Sequence, residues 1–259
     1  MTAPASQEGN APRSRTARVV VVTGAARGIG RCIASHFHAH GDTVVITDID
    51  LAAARNCARE LGTAPPAMRM DVRDAAEVAA VLQHIDSQVG AIAVLVNNAG
   101  LMTQGGFANT DAAAFEAMLQ TNVAGIYHCV QRVAPLMTQR KRGAIVNLAS
   151  VSSVRGGGSV GNVWYGASKA AVVAMTAGLA RELGPHGVRV NAISPSVIET
   201  DMVRPFLTPA VRERVMTRFP LARLATVDDV ARMALFLASD DAAFVTGQNV
   251  AVDGGFLTN

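Results

Sequence analysis

Short, uniformly apolar segments alternate with longer alanine-rich segments from residue 18 almost to the end of the 259-residue chain. The short segments are rich in β-branched residues, which is typical of strands that are buried on both faces. We predict strands at residues 18–23, 43–47, 93–96, 143–148, 188–193 and 249–252. Helical patterns lie near residues 28–40, 51–61, 74–89, 111–139, 164–184 and 227–238. This alternation predicts an α/β fold with a doubly wound, mostly parallel sheet between two helical layers.

The pattern continues without a linker, so we predict a single domain over residues 18–259, preceded by a flexible tail of residues 1–17. The tail lacks the apolar core of a secretory signal. Two long loops interrupt the pattern: residues 155–163 contain four glycines, and residues 194–220 contain four prolines. Both follow predicted strand ends, where open α/β sheets bind ligands, so we expect both loops to border a binding site.

Composition excludes several classes of function. Half of the residues are hydrophobic, yet no apolar stretch reaches the ~18 residues that a membrane-spanning helix needs. The net charge of +3 comes from scattered arginines, and aromatic residues make up only 4%, too few for a base-stacking surface. We therefore expect neither a membrane nor a nucleic-acid partner. Cys32, Cys57 and Cys129 form no C-x-x-C pair, which favours a reducing, cytoplasmic location.

A glycine-rich turn follows the first predicted strand and opens a helix, with glycines at Gly24, Gly28 and Gly30. Such a turn can serve only as a tight connection, but its place after the first strand favours binding of a pyrophosphate at the helix N-terminus. Asp48 ends the second strand, where a carboxylate meets the ribose hydroxyls of a bound dinucleotide. Its alternative role is a helix N-cap, which Asp50 can fill instead. The turn and Asp48 together predict a dinucleotide site.

Tyr165 and Lys169 are four residues apart in a predicted helix, so both side chains lie on one face. A free tyrosine titrates near ~10 and is a poor base at neutral pH. A neighbouring ammonium group stabilises the phenolate, so we expect Lys169 to lower the pKa of Tyr165. The pair therefore predicts a general acid/base.

Several motifs together resemble the short-chain dehydrogenase/reductase family in its compact form, over about residues 17–257. Residues 23–30 match the family's T-G-x-x-x-G-x-G, residues 97–100 its N-N-A-G, and residues 165–169 its Y-x-x-x-K. The resemblance implies a Rossmann-like fold and hydride transfer between a nicotinamide cofactor and a secondary alcohol or ketone. A carrier-protein 3-oxoacyl reductase that uses NADPH is an alternative, and a non-catalytic dinucleotide-binding regulator is another.

The resemblance also implies roles for individual residues. Tyr165 would be the acid/base, Lys169 would lower its pKa and hold the nicotinamide ribose, and Asn122 would anchor a water of a proton relay. The segment that contacts the nicotinamide usually reads Pro-Gly, but here it is Pro195-Ser196, so a Cβ at Ser196 is expected to shift the loop. Residues implied at the cofactor are Gly24, Arg27, Gly28, Ile29, Gly30, Asp48, Asp71, Val72, Asn98, Ala99, Gly100, Tyr165, Lys169, Pro195, Ile198 and Thr200.

The position of the catalytic serine stays open between two residues. The family's spacing of 13 residues before the tyrosine indicates Ser152, whereas the position at the end of the strand over residues 143–148 indicates Ser150. We favour Ser150, because the glycine-rich loop can absorb two extra residues at little cost.

Three further expectations concern ligands and partners. The acidic Asp48 favours NAD over NADP, although Arg27 in the glycine turn could bind a 2′-phosphate. We predict no metal site, because no Cys or carboxylate completes a set with the histidines of residues 36–40. We expect a homotetramer, built through the alanine-rich helices, that acts on a small-molecule alcohol or ketone.

Overall fold

A computed structural model describes residues 17–62, 66–158 and 160–258. Its strands are β1 (Val19–Thr23), β2 (Thr43–Asp48), β3 (Ala67–Arg69), β4 (Ile92–Asn97), β5 (Gly143–Leu148), β6 (Val188–Pro195) and β7 (Asn249–Val252). They form one sheet in the order β3-β2-β1-β4-β5-β6-β7, and every neighbouring pair is parallel. The strand order reverses between β1 and β4, which is the point where open α/β sheets bind ligands.

Helices cover both faces of the sheet. They are α1 (Gly28–Ala39), α2 (Leu51–Glu60), α3 (Ala75–His84), α4 (Ala112–Leu119), α5 (Gly125–Gln139), α6 (Ser152–Arg155), α7 (Val163–Leu183), α8 (Pro209–Met216) and α9 (Val227–Leu237). Alternate residues of β1 point into two separate cores, Val19 and Val21 into one and Val20 and Val22 into the other. Helices α3, α5 and α7 close the first core, and α1, α2 and α9 close the second. The architecture confirms the predicted doubly wound α/β fold.

The structure differs from the sequence prediction in three elements. The short β3 was not among the predicted strands, since its three residues end in the exposed Arg69. The helix predicted over 111–139 is interrupted by a π-helical turn at Gln120–Ala124. Helix α8 lies within the proline-rich loop: Pro209 occupies its first turn, where the missing N–H costs nothing, and Thr208 caps it.

Two other expectations concern the ends and the cysteines. Cys57 and Cys129 are buried free thiols, as expected, while Cys32 is half-buried. Residues 1–16 of the predicted tail lie outside the described residues, so the tail and the domain boundary at residue 18 stay predictions. No helix in the described ranges has the length and hydropathy to cross a membrane.

Candidate active site

A cavity of about 570 Å³ opens at the carboxyl ends of the central strands. Every residue predicted to contact the cofactor lines this cavity, as do both candidate serines, Ser150 and Ser152. Asn122, which was predicted as a catalytic residue, does not line the cavity: its side chain is fully buried behind Gly100 and Leu101. The structure therefore brings the dinucleotide motif and the Tyr165–Lys169 pair to one continuous space.

The glycine turn forms a cradle that side chains would fill. Gly24 and Gly28 have left-handed φ angles of 62° and 56°, which glycine adopts without strain. A Cβ on Gly30 would lie 2.4 Å from both the Gly24 carbonyl oxygen and Asn98 Nδ2. Helix α1 begins at the turn without a side-chain cap and without an acidic residue in its first turn, so its N–H groups remain available. This arrangement fits the pyrophosphate of a dinucleotide.

Asn98 connects the glycine turn to the end of β4. Its Nδ2 donates to the carbonyl oxygens of Thr23 and Gly24 at 2.8 and 2.9 Å. The backbone N–H groups of Asn98 and Ala99 both donate to Thr23 Oγ1 at 3.0 Å. The Asn98 side chain therefore fixes the shape of the turn.

Asp48 is buried at the end of β2, and both of its carboxylate oxygens accept backbone hydrogen bonds. Ala26 N–H donates to Oδ2 and Asp50 N–H to Oδ1, each at 3.1 Å. The helix N-cap is Asp50, whose side chain accepts from Ala53 N–H at 3.0 Å. Since each carboxylate oxygen can accept a second hydrogen bond, Asp48 can still bind ribose hydroxyls.

Asp71 lines the same end of the cavity and pairs with Arg73, whose guanidinium contacts the carboxylate at 2.6 and 2.9 Å. Hydrogen bonds from Arg73 hold the pKa of Asp71 below its usual value. Neighbouring Val72 is buried, and it packs so closely against Gly125 that a Cβ there would lie 2.8 Å from Val72 Cγ2. The sequence analysis did not identify Arg73 as the ion-pair partner of Asp71.

Tyr165 and Ser150 both line the cavity, and the Ser150 hydroxyl acts as a hydrogen-bonding partner that opposes the rise in the pKa of Tyr165. Ser150 Oγ also accepts from Ser152 N–H at 3.1 Å, which fixes the position of the hydroxyl. Ser152 begins the one-turn helix α6. Within the described ranges no hydrogen bond joins Ser152 Oγ to Tyr165. The effect of Ser150 on the pKa of Tyr165, which Ser152 does not share, thus favours Ser150 over Ser152.

Burial governs the titration of the Tyr165–Lys169 pair. Desolvation raises the pKa of Tyr165, and the hydrogen bond with Ser150 opposes this shift. Desolvation also lowers the pKa of Lys169 to about 8. Lys169 Nζ donates to the Leu148 carbonyl oxygen at 2.7 Å and lies 5.9 Å from the Tyr165 ring centroid. The net shift of the Tyr165 pKa is therefore upward, with burial as its largest cause, whereas a lowering by Lys169 was expected.

The π-helical turn between α4 and α5 places Asn122 against the backbone that follows β4. Asn122 Oδ1 accepts from Leu101 N–H at 2.8 Å, and Nδ2 donates to the Leu101 carbonyl oxygen and to Ser168 Oγ at 2.9 and 3.0 Å. Both amide hydrogens are thus used within the protein. A relay water could therefore donate a hydrogen bond to Asn122 Oδ1, but it would find no free donor on this side chain.

Ser196 stands where the family usually has glycine, and the loop after β6 accommodates it without strain. Among the described residues only Lys141 and Ala222 combine a side chain with a positive φ, so Ser196 adopts an ordinary backbone conformation. The expected shift of the loop is not required. The Pro195 carbonyl accepts from Val151 N–H at 3.1 Å, and the buried Ser196 Oγ has no partner within the described ranges.

The expectation that no Cys or carboxylate lies beside the histidines of residues 36–40 was wrong. Cys32 and Asp228 do lie beside His36, and one ligand atom from each lies within 4.8 Å of the others. His36 Nε2 contacts Asp228 Oδ1 at 2.8 Å, which ties α1 to the first turn of α9. The sequence could not show this, because Asp228 is remote along the chain.

Sequence reasoning also missed the far end of the cavity. Arg155, Met202 and Phe256 line it, and each comes from a loop or a short helix. Arg155 is the last residue of α6 and the first residue of the glycine-rich loop that was expected to border the site. The sequence did not show that its side chain would line the cavity. Phe256 belongs to a small third core near the C-terminus.

Comparisons with known proteins agree with this geometry. A family model described as "Enoyl-(Acyl carrier protein) reductase" matches residues 24–257. The 3-oxoacyl-[acyl-carrier-protein] reductase FabG of Staphylococcus aureus is 37% identical over 242 residues, which cover 91% of this chain and 96% of the relative. The chain belongs to the short-chain dehydrogenase/reductase family. Galactitol 2-dehydrogenase of Agrobacterium fabrum, another similar protein, is 36% identical and covers 92% of the chain and 96% of its own length.

Solved structures of short-chain dehydrogenases/reductases share the fold. A gluconate 5-dehydrogenase from Burkholderia cenocepacia, in complex with NADP and tartrate, has a TM-score of 0.88 and 32% identity. The match covers 93% of this chain and 96% of that one. The protein is thus a nicotinamide-dependent oxidoreductase that acts on CH–OH groups, as the sequence predicted.

Proposed function

We propose that this enzyme interconverts a small secondary alcohol and the corresponding ketone, with Tyr165 as general acid/base. The observation that carries the proposal is that Ser150, Tyr165 and the glycine turn line one continuous cavity. A bound nicotinamide cofactor would supply or accept the hydride. Tyr165 would exchange the proton at the substrate oxygen, and Ser150 would donate a hydrogen bond to the same oxygen.

The raised pKa of Tyr165 keeps the phenol protonated at neutral pH, which suits proton donation to a ketone. Lys169 would contact the nicotinamide ribose, and the glycine turn would hold the pyrophosphate. Turnover of a panel of ketones with NADH or NADPH, followed by cofactor absorbance, tests the proposal. Cofactor binding without turnover of any ketone or alcohol would favour the non-catalytic regulator.

Two serine variants test the assignment of the hydroxyl. We expect Ser150→Ala to lower kcat by about 100-fold, the loss typical of one donor to a developing oxyanion. Ser152→Ala is the matched comparison, because it removes the rival hydroxyl two residues away but leaves the backbone N–H that holds Ser150. A larger loss for Ser152→Ala would overturn the choice of Ser150.

We propose NAD(H) as the cofactor, with NADP(H) as the alternative. Asp48 is held by two backbone N–H groups, so its charge cannot move away from a 2′-phosphate placed beside it. The exposed Arg27 favours the alternative, since its guanidinium has no carboxylate partner in the described ranges. The bound NADP of the gluconate 5-dehydrogenase favours NADP as well. The fixed carboxylate is the stronger argument, because Arg27 can turn to solvent.

The preference can be measured as kcat/KM with each cofactor. We expect the wild type to favour NADH, and Asp48→Ala to lose NADH activity and gain NADPH activity. Asp50→Ala is the control, since that side chain caps α2 and does not line the cavity. A wild type that already prefers NADPH would contradict the cofactor, and a variant that gains nothing would contradict the role of Asp48.

Reduction of a carrier-bound 3-oxoacyl substrate is the second candidate, favoured by the FabG relatives. A carrier protein is acidic, and the only dense basic run is Arg140–Arg142. Arg140 already forms a two-point ion pair with Asp86, so this run offers a weak docking surface. Saturable kinetics with an acyl-carrier substrate, lost on neutralising the run, would favour this candidate.

We further propose a homotetramer in a reducing, cytoplasmic environment. The exposed side of α7 carries Val163, Ala167, Ala174 and Ala177, a stripe of small apolar residues that allows close helix packing. Tyr127 on α5 is also 56% exposed. Light scattering at micromolar concentration should give four times the chain mass, and a monomeric mass would contradict the assembly.

A further inference from the structure

The far end of the cavity carries an arginine without an ion pair. Arg155 ends α6, five residues after Ser150, and lines the cavity from an exposed position. Within the described ranges no carboxylate lies in ion-pair contact with its guanidinium. An unpaired cation beside a reaction site is a ready contact for an anionic ligand group.

The acidic residues of the cavity already have other partners. Asp48 accepts two backbone N–H groups, and Asp71 is paired with Arg73. Asp201 is paired with Arg204 at 2.8 Å. These carboxylates therefore leave the charge of Arg155 uncompensated.

The Phe256 ring fixes where this charge lies. The Arg155 Cζ atom is 5.5 Å from the ring centroid, and the Arg218 Cζ atom is 4.4 Å from the same centroid. Phe256 itself is buried, so it provides a rigid support for the guanidinium. Burial, and then the charge of Arg155, lower the pKa of Arg218, so the two guanidinium groups lie close enough to affect each other.

Arg155 is separated from the part of the cavity that suits the cofactor phosphates. The phosphate-binding turn follows β1, whereas α6 follows β5, and β4 lies between these strands. The two strand ends are therefore about 10 Å apart. Arg155 instead follows β5 in the same segment as Ser150, and its guanidinium lies against the ring of Phe256, which also lines the cavity.

We propose that Arg155 binds a carboxylate of the substrate, so that the substrates are hydroxy acids and oxo acids. The inference rests on the proposed alcohol–ketone activity and adds the chemical class of the substrate. The planar guanidinium matches a carboxylate in a two-point contact, while the apolar side chains nearby accommodate the carbon chain.

The test compares a series of linear oxo acids of increasing length with their primary amides, using the enzyme with saturating cofactor. We expect the best acid to exceed its amide by about 10- to 100-fold in kcat/KM, the contribution of a charge-assisted hydrogen bond. Arg155→Met should reduce this ratio to near one, and Arg155→Lys should retain part of it. Arg55→Met is the matched control, because that exposed arginine lies on α2 and does not line the cavity. The acid preference should also weaken as salt concentration rises.

Other results have distinct meanings. Equal turnover of acids and amides by the wild type, or an unchanged ratio in Arg155→Met, would overturn the anionic substrate class and leave the oxidoreductase activity standing. Cofactor binding without turnover of these acids, but with turnover of neutral ketones, would also overturn it. Failure of the wild type to turn over any ketone or alcohol would overturn the proposed function itself.

Discussion

Tyr165→Phe is expected to lower kcat at least about 100-fold, the low end of what a general acid/base contributes. The variant loses only the phenol oxygen, so the ring keeps its packing and the cofactor should bind with nearly unchanged affinity. Steady-state kinetics and cofactor titration of the same preparation measure the two effects. Because burial raises the pKa of Tyr165, ketone reduction should persist at neutral pH, and alcohol oxidation should increase as pH rises.

The other tyrosine provides the control for this substitution. Tyr127 is exposed on α5 and does not line the cavity, so Tyr127→Phe should leave kcat unchanged. A Tyr165→Phe variant that keeps more than about a hundredth of the wild-type rate would contradict the acid/base role.

Lys169→Met is expected to abolish most turnover and to change how stability depends on pH. The buried ammonium has a pKa of about 8, against 10.5 for an ordinary lysine. Below pH 8 both the folded and the unfolded chain are protonated, so burial of the charge costs about 3 kcal/mol in full. Between pH 8 and 10.5 Lys169 loses its proton in the folded chain but keeps it in the unfolded chain. The free-energy cost of burying the charge therefore falls progressively as pH rises through this range. The wild type should therefore gain stability relative to the variant over that range.

Urea unfolding of both proteins at pH 7 and pH 10 measures this change as a difference, in which other titrations cancel. Lys141, the other lysine of the chain, lies exposed on a turn. Lys141→Met should show no such pH-dependent gain. If the stability difference between wild type and Lys169→Met is the same at both pH values, Lys169 does not titrate as a buried group.

The fold could be predicted because its signals are local. Uniformly apolar strands such as residues 19–23 and 143–148 are buried on both faces, and that pattern requires helices on each side. Strand β3 was not predicted because only three of its residues pair with β2. The break at Gln120–Ala124 was not predicted because the π-helical turn continues the helix and contains no glycine or proline to mark it.

The candidate site could be predicted in part for the same reason. The glycine turn and the Tyr165–Lys169 spacing each depend on one short segment, and the structure brings both to one cavity. The choice between Ser150 and Ser152 depends on how the glycine-rich loop folds, which composition does not determine. Contacts between remote segments, such as Cys32 with Asp228, have no signal in a single sequence.

Transfer of deuterium from the cofactor to the product tests directly whether the protein catalyses hydride transfer with Tyr165 as the acid. NADH carrying deuterium at the transferred position of nicotinamide C4 would be mixed with a ketone that the enzyme reduces, and the product alcohol analysed by mass spectrometry. We expect one deuterium at the carbinol carbon with the wild type, and at least about 100-fold slower labelling with Tyr165→Phe. An alcohol without deuterium, or equal labelling rates for the two proteins, would contradict this mechanism.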